Sequence, residues 1–546
     1  MATITNATTH DAGTPMTRKA FLGAAGAGTA TLLAACGQTA TDESPATDAA
    51  ADATTEKVLR VGMINDKASW DLQKTNANAS GLPLAVCETL MRFNENTEIE
   101  PLLITKMPDI SDDGLTYSFE LKDGVKFHDG STLTSEDVKY SFERMFLPET
   151  KGTSTSLYTT MEGANEMLAG ETTELSGFSI QDDRHFSIRL TRVNAVFEAV
   201  LSEMYALIYP HEACEAAGES WGNGTNLIGT GPFRLTANDD TTACTLERFD
   251  DYHDGAAKID RIEVTYMSDA NTMMMHFKAG DIDLCELDSS LYDQYSQDPD
   301  VKERIVPYTP AGTVFVCPNL NDPVLQDPRV REALSLAINR QELIDTVLSG
   351  AATPAGQFCA PGEEGHDDSM EVLPYDPERA KELLAEAGAT GLTLTCEVTQ
   401  PQENVAVVLQ SYWHEIGVEC EVQTIDNGVY TSERANGELQ ITVARWTTLC
   451  YVGAEHMRTY FHSGSSDKKS SFYANPDFDA LIEGAEADLN KDSRIDKTIE
   501  ADKLLTQEDY ACIPVEYPWA PYVCADGLTG IYRIYTFVFT NKIEMA

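Results

Sequence analysis

The chain has 546 residues, too many for one ordinary core, so two or three packed units are expected. Asp and Glu number 88 against 39 Lys and Arg, a formal net charge of −49. A surface that negative repels phosphate backbones and anionic headgroups, which excludes nucleic-acid binding and leaves solubility, or attraction of cationic ligands, as its use.

Lys19 precedes an uncharged run, Ala20 to Ala35, that is too short to span a bilayer as a stable helix. The run closes with Leu33-Ala34-Ala35-Cys36 followed by Gly37. This resembles a bacterial lipobox, which implies removal of residues 1–35 and a lipid on Cys36. Thr17 to Leu22 resembles the twin-arginine export motif with Lys19 in place of one arginine, so the export route stays open. Residues 37–56 are rich in Ala, Thr, Asp and Ser, cannot form a core, and read as a tether. No later segment is long and apolar enough to cross a membrane as a helix.

Val58 to Met63 reads as the first strand, and residues 86–93 as a short apolar element. Leu115 to Leu121 alternates as a half-buried strand. Ser135 is a candidate cap for a helix whose Val138, Phe142 and Met145 share a face. Strands are predicted around 233–235, 245–248 and 262–266, then a helix over 269–279 closed by Gly280, then strand Ile282 to Leu284. A second region opens with strand Thr313 to Cys317 and one helix over Asp327–Leu348, followed by helix 376–387, strand 392–398, helix 402–416 and strand 418–424. Strand-like runs return at Ile513 to Tyr517 and Tyr535 to Phe539. The β-α-β order implies α/β layers, and no repeat is visible.

Several of these stretches resemble the extracellular solute-binding proteins of family 5, the oligopeptide, dipeptide and nickel receptors of ABC importers. The segments are Asp113 to Gly130 continuing through Leu133 to Val138, Gly229-Thr230-Gly231-Pro232-Phe233, Asp327 to Arg340, and Tyr375 to Leu384. They run in order from about Val58 onward. The resemblance implies a type II periplasmic-binding-protein fold, α/β, with two main lobes joined by crossing strands near 310–320 and 513–520 and an extra subdomain on lobe I. The implied division is lobe I at 57–86, 225–312 and 518–546, the subdomain at 87–224, and lobe II at 313–517. It also implies a monomer that holds a peptide or small solute, hands it to ABC permease subunits, and needs no cofactor. A chemosensory receptor of the same fold, or an extracytoplasmic hydrolase, is the alternative.

Family members carry an aromatic and an amine-binding acid in Gly-Trp-x-Ala-Asp-Tyr. Its counterpart here is Ala444-Arg445-Trp446-Thr447-Thr448-Leu449-Cys450-Tyr451, so Trp446 is kept and Leu449 stands at the acid's position. A buried ammonium needs a fixed anion, and Glu455 is the candidate substitute. Arg445 is a candidate for a ligand carboxylate or for a surface ion pair. Asn319 is a candidate ligand contact or turn cap, and Trp70 a cleft wall or a packing aromatic. Glycines 229 and 231 suit close backbone approach, read here as lobe to lobe. His128 is read as a local hydrogen-bonding residue.

No metal is expected. The eleven cysteines after Cys36 form no Cys-x-x-Cys pair, and no His-Glu-x-x-His occurs. Cys396 and Cys420 are the first candidates for a disulfide, in neighbouring strands. Gly218-Glu219-Ser220-Trp221-Gly222 matches a nucleophile elbow in letters, but helix, not strand, is predicted before it. Asp488-x-Asn490-x-Asp492 opens like a calcium loop but has Ser493 where glycine is needed, and reads as a helix–helix turn.

Overall fold

A computed structural model describes residues 56–64, 69–75, 81–447, 450–465 and 471–546. Cys36, its tether and Leu449 lie outside the described residues.

The first sheet has seven strands in the order 305–306, 522–524, 284–286, 58–64, 261–267, 243–248, 233–238. Val58–Ile64 runs parallel to Arg261–Met267 with Val61 opposite Val264, and both side chains are buried. Helix Ala270–Ala279 covers this sheet with Met273, Met274 and Phe277; Asp269 caps its start and left-handed Gly280 ends it. A four-stranded antiparallel sheet, 109–110, 116–120, 185–189 and 178–180, packs with helix Ser135–Phe146 into the same core. Alternation in Thr116–Glu120 buries Tyr117 and Phe119, and Phe119 stacks on Phe186 at 4.9 Å. The helix cap is Thr134, whose backbone N–H donates to Asp137 at 2.9 Å, and not the expected Ser135, which is the first helical residue. Buried Arg144 on this helix holds Asp71 at 2.6 Å and fixes segment 69–75 against it. Breaking such a pair from one side leaves a buried charge and costs about 3–5 kcal/mol.

The second sheet has the order 352–354, 513–518, 312–318, 441–447, 393–398, 419–424. Its central strand, Gly312–Pro318, is buried at every position because helices cover both faces. Val314 and Val316 meet a core built with helices Pro328–Leu336, Pro377–Glu386 and Glu403–Glu415. Phe315 and Cys317 meet helices Gly453–Phe461, Pro476–Glu486 and Lys491–Lys503 on the other face. The chain thus forms an α/β structure of two sheet-centred lobes, with the smaller antiparallel sheet attached to the first. It crosses between them twice, at 307–311 and 519–521, where the Ala520 N–H donates to the Tyr308 carbonyl at 2.8 Å.

Two expectations are corrected here. The helix predicted over 327–348 is two helices, Pro328–Leu336 and Arg340–Val347. Asn339 breaks it: its side chain accepts from the Glu342 N–H as a new N-cap. Arg340 then turns its guanidinium inward to the Pro514 carbonyl at 2.9 Å. Gly229 and Gly231 do not join the lobes. A Cβ on either would sit 2.1 Å from the Val86 carbonyl or 2.5 Å from that of Ala85, so the close approach is inside the first lobe. His128 pins this turn, with Nε2 2.9 Å from the Gly231 carbonyl oxygen and the Gly229 N–H on Nδ1. Burial lowers its pKa to about 4, which suits a neutral imidazole.

Candidate functional site

Strand Ile441–Thr447 carries the two site residues that the sequence placed best. Its register sets Trp446 opposite Thr313 and Arg445 opposite Val314. Gly312 lets the central strand come close at this point, since a Cβ there would lie 2.4 Å from the Trp446 carbonyl oxygen. Strand alternation sends the two side chains to opposite faces, yet at the sheet edge facing the crossing segments both reach one cavity of about 700 Å³. Trp446 is braced edge-on against Tyr460, 4.3 Å between ring centroids.

Arg445 is surrounded by protein but exposes its side chain to that cavity. Burial lowers its pKa, opposed by the nearby charges of Glu516 and Glu286. It makes no hydrogen bond or ion pair among the described residues. The other cavity arginine, Arg533, is already engaged: it pairs with Glu286, donates to the Ala520 carbonyl at 2.9 Å, and lies over Phe537 and Tyr308. Trp519 contributes an aromatic wall, held edge-on by Tyr292 at 5.8 Å. An unpaired guanidinium between two tryptophans is chemically suited to an anionic group.

Its far end is acidic. Glu455 and His456, from helix Gly453–Phe461, line the cavity together with Glu203, which comes from the subdomain side. Glu203 is 1% exposed, and burial raises its carboxyl well above the usual range. His456 is also buried; desolvation would lower its pKa, but Glu363 at 2.7 Å and Glu455 reverse the shift and raise it.

Other residues named from sequence lie elsewhere. Trp70 is 4% exposed and packs in the first lobe's core, its backbone N–H on the Gly222 carbonyl. Asn319 donates to the carbonyls of Gly437 and Leu439 and so ties a loop rather than facing the cavity. Cys396 and Cys420 do sit on neighbouring parallel strands, as free thiols. Ser220 closes a single 3₁₀ turn after helix His211–Ala217 and donates to the Ala217 carbonyl, which is no nucleophile elbow. Asn490 caps helix Lys491–Lys503, so the calcium-like stretch is a helix–helix turn.

The family model for bacterial extracellular solute-binding proteins, family 5 (middle region), matches residues 98–468. The chain belongs to this family. It is a solute-binding protein and not an enzyme. Heme-binding protein A of Haemophilus influenzae is 28% identical over 84% of this chain and 85% of that protein. The dipeptide-binding protein of Escherichia coli is 27% identical over 80% and 84%, and dipeptide-binding protein DppE of Bacillus subtilis 25% over 88% and 90%. Among solved structures, HbpA2 from Haemophilus parasuis superposes with a TM-score of 0.76, covering 90% of this chain and all of that one at 23% identity. The Helicobacter pylori periplasmic binding protein DppA, in complex with the peptide STSA, gives 0.75 over 89% and 98%, also at 23%. These likenesses establish the fold.

Sequence reasoning missed Glu203, His456, Arg533 and Trp519. The last two lie in a stretch with no motif, and Glu203 meets Glu455 only through the tertiary fold.

Proposed function

We propose that this solute-binding protein is the receptor of an ABC importer and captures short peptides, or similar solutes with a free carboxylate, by closing two lobes over them. The relatives named for dipeptides support the ligand class, and the observation that carries it is the uncommitted Arg445 guanidinium in the cavity. Arg445 takes the carboxylate, while Trp446 and Trp519 flank the chain of the ligand. Lobe I at 57–86, 225–312 and 518–546, subdomain 87–224 and lobe II at 313–517 are the moving bodies in this reading. Closure follows because a ligand that touches both lobes binds the closed state better. The receptor works as a monomer, held by lipid on Cys36 to the outer face of the cytoplasmic membrane, and delivers its ligand to permease subunits.

A mixed dipeptide pool and its C-terminally amidated counterpart, titrated against the full chain by calorimetry, test this reading. Free-carboxylate peptides bind, and amidation or Arg445→Met weakens them by about 10- to 100-fold, the range for a lost charge-assisted hydrogen bond. Equal binding of acid and amide, or no peptide binding at all, overturns it.

A further inference from the structure

Behind the acidic end of the cavity, where Glu455 and His456 line it, Cys450 joins them and three donors of mixed softness converge. Cys450 Sγ lies 3.5 Å from His456 Nε2 and 3.7 Å from Glu455 Oε2, and those two atoms are 3.6 Å apart. Metal–ligand bonds of about 2.0–2.3 Å in tetrahedral geometry set neighbouring donor atoms roughly 3.3–3.8 Å apart. The triangle therefore has the size of one face of a tetrahedral site, and all three residues are buried. Outer partners are in place as well. Glu363 Oε1 holds His456 Nδ1 at 2.7 Å, and Thr459 Oγ1 donates to Glu455 Oε1 at 2.8 Å. A carboxylate on Nδ1 fixes the tautomer that turns the Nε2 lone pair toward Cys450 and Glu455.

A second observation points to a cation independently. Glu203 reaches this cluster from the other lobe's subdomain, interacts with Glu455 and Cys450, is almost fully buried, and has no hydrogen-bond partner for Oε2. Among the described residues no lysine or arginine pairs with Glu203, Glu363 or Glu455. A cation here gives the unpartnered Glu203 Oε2 a bond and is held by the carboxylate of Glu455 beside it. An ammonium group would satisfy the carboxylates but gains nothing from a thiol and an imidazole nitrogen, which are ligands for a borderline or soft metal.

We propose that Cys450, Glu455 and His456, completed by Glu203, bind a divalent transition metal, zinc above all, at the junction of the two lobes. Binding releases the Cys450 thiol proton to solvent. With Glu203 in the fourth position the tetrahedral shell is closed, as in sites that hold a metal for structure. Because its ligands come from both lobes, the ion also favours their approach. This goes beyond the carboxylate reading, and the two fail separately: peptide binding through Arg445 does not need the metal.

The test uses the full chain, stripped by chelator and dialysed against zinc chloride, with metal counted by mass spectrometry. One zinc per chain is expected, and Cys450→Ser or His456→Ala lowers affinity at least 100-fold. Glu363→Gln and Glu203→Gln lower it about 10- to 100-fold, as outer-partner losses do, while Cys512→Ser in the second lobe's core leaves it unchanged. Cobalt chloride added to the unaltered chain supplies a readout free of folding effects: a thiolate-to-cobalt charge-transfer band is expected. Absence of that band, zinc retained by the Cys450 and His456 variants, or suppression of the site only by amine-bearing solutes overturns the proposal.

Discussion

Arg445 and Glu516 flank Val314 from the two neighbouring strands, so a guanidinium open to the cavity and a carboxylate that is 4% exposed share one row of the second sheet. No bond joins them, and Glu516 Oε2 has no hydrogen-bond partner. Burial pushes the Glu516 carboxyl from 4.5 up to about 7 despite the pull of Arg445. The charge of Arg445 is therefore nearly unopposed by Glu516 below neutrality and partly cancelled above it.

That relationship sets a pH dependence. Between about 4.5 and 7 the folded chain holds a proton on Glu516 that the unfolded chain has shed, so its contribution to stability is full at the acid end and lost as pH rises through 7. The whole swing is about 3 kcal/mol at most. Glu516→Gln is expected to flatten that fall in denaturant titrations at pH 5 and pH 8. In the same variant, carboxylate binding stops weakening above pH 7. The other charged groups around Arg445 are Glu286 and Arg533, with the neutral phenol of Tyr308 beside them. A loss of stability with pH that persists unchanged in the Glu516→Gln variant would place the titrating group elsewhere.

The glycine turn at 229–231 gives a prediction on stability alone. Gly231→Ala pushes a methyl into the backbone of Ala85 and Val86, neither of which can turn away. It is expected to cost about 1–3 kcal/mol or more. Gly484→Ala, in helix Pro476–Glu486 with only the flexible Lys497 side chain nearby, gains about 0.5–1 kcal/mol. Thermal unfolding should lower Tm in the first and raise it in the second. A tolerated Gly231→Ala would mean that the turn relaxes freely.

The anchor is tested in cells. Cys36→Ser should move the receptor from the membrane fraction into the soluble one, and a chain that stays bound after high-salt washing would show that lipid on Cys36 is not what holds it.

The two-lobed α/β fold was legible because its periodicities are strong: Thr116–Glu120 alternates, and helices such as Glu403–Glu415 bury one stripe. Asn339 was harder to read, since a capping side chain inside an otherwise helical period breaks it only when Arg340 finds a buried acceptor on another strand. For the site, Arg445 and Trp446 could be placed because neighbours on one strand are set by sequence. Trp70 could not, because whether an aromatic faces a cleft or a core depends on what is packed around it. The cluster at Cys450 was beyond reach for a related reason. Its donors match no spacing motif, and Glu203 lies far away in the chain.

The first sheet pairs strands whose residues are widely separated: Val61 beside Val264, and Cys285 beside Val523. Contacts of such span are slow to form, because long loops must close before any pairing rewards them. On the ribosome, strand 58–64 waits for 261–267, and strand 284–286 waits for 522–524. The chain therefore passes most of its synthesis with this sheet unfinished. Trp519 and Arg533 flank strand 522–524, so the cavity gains these two walls only when that late pairing forms.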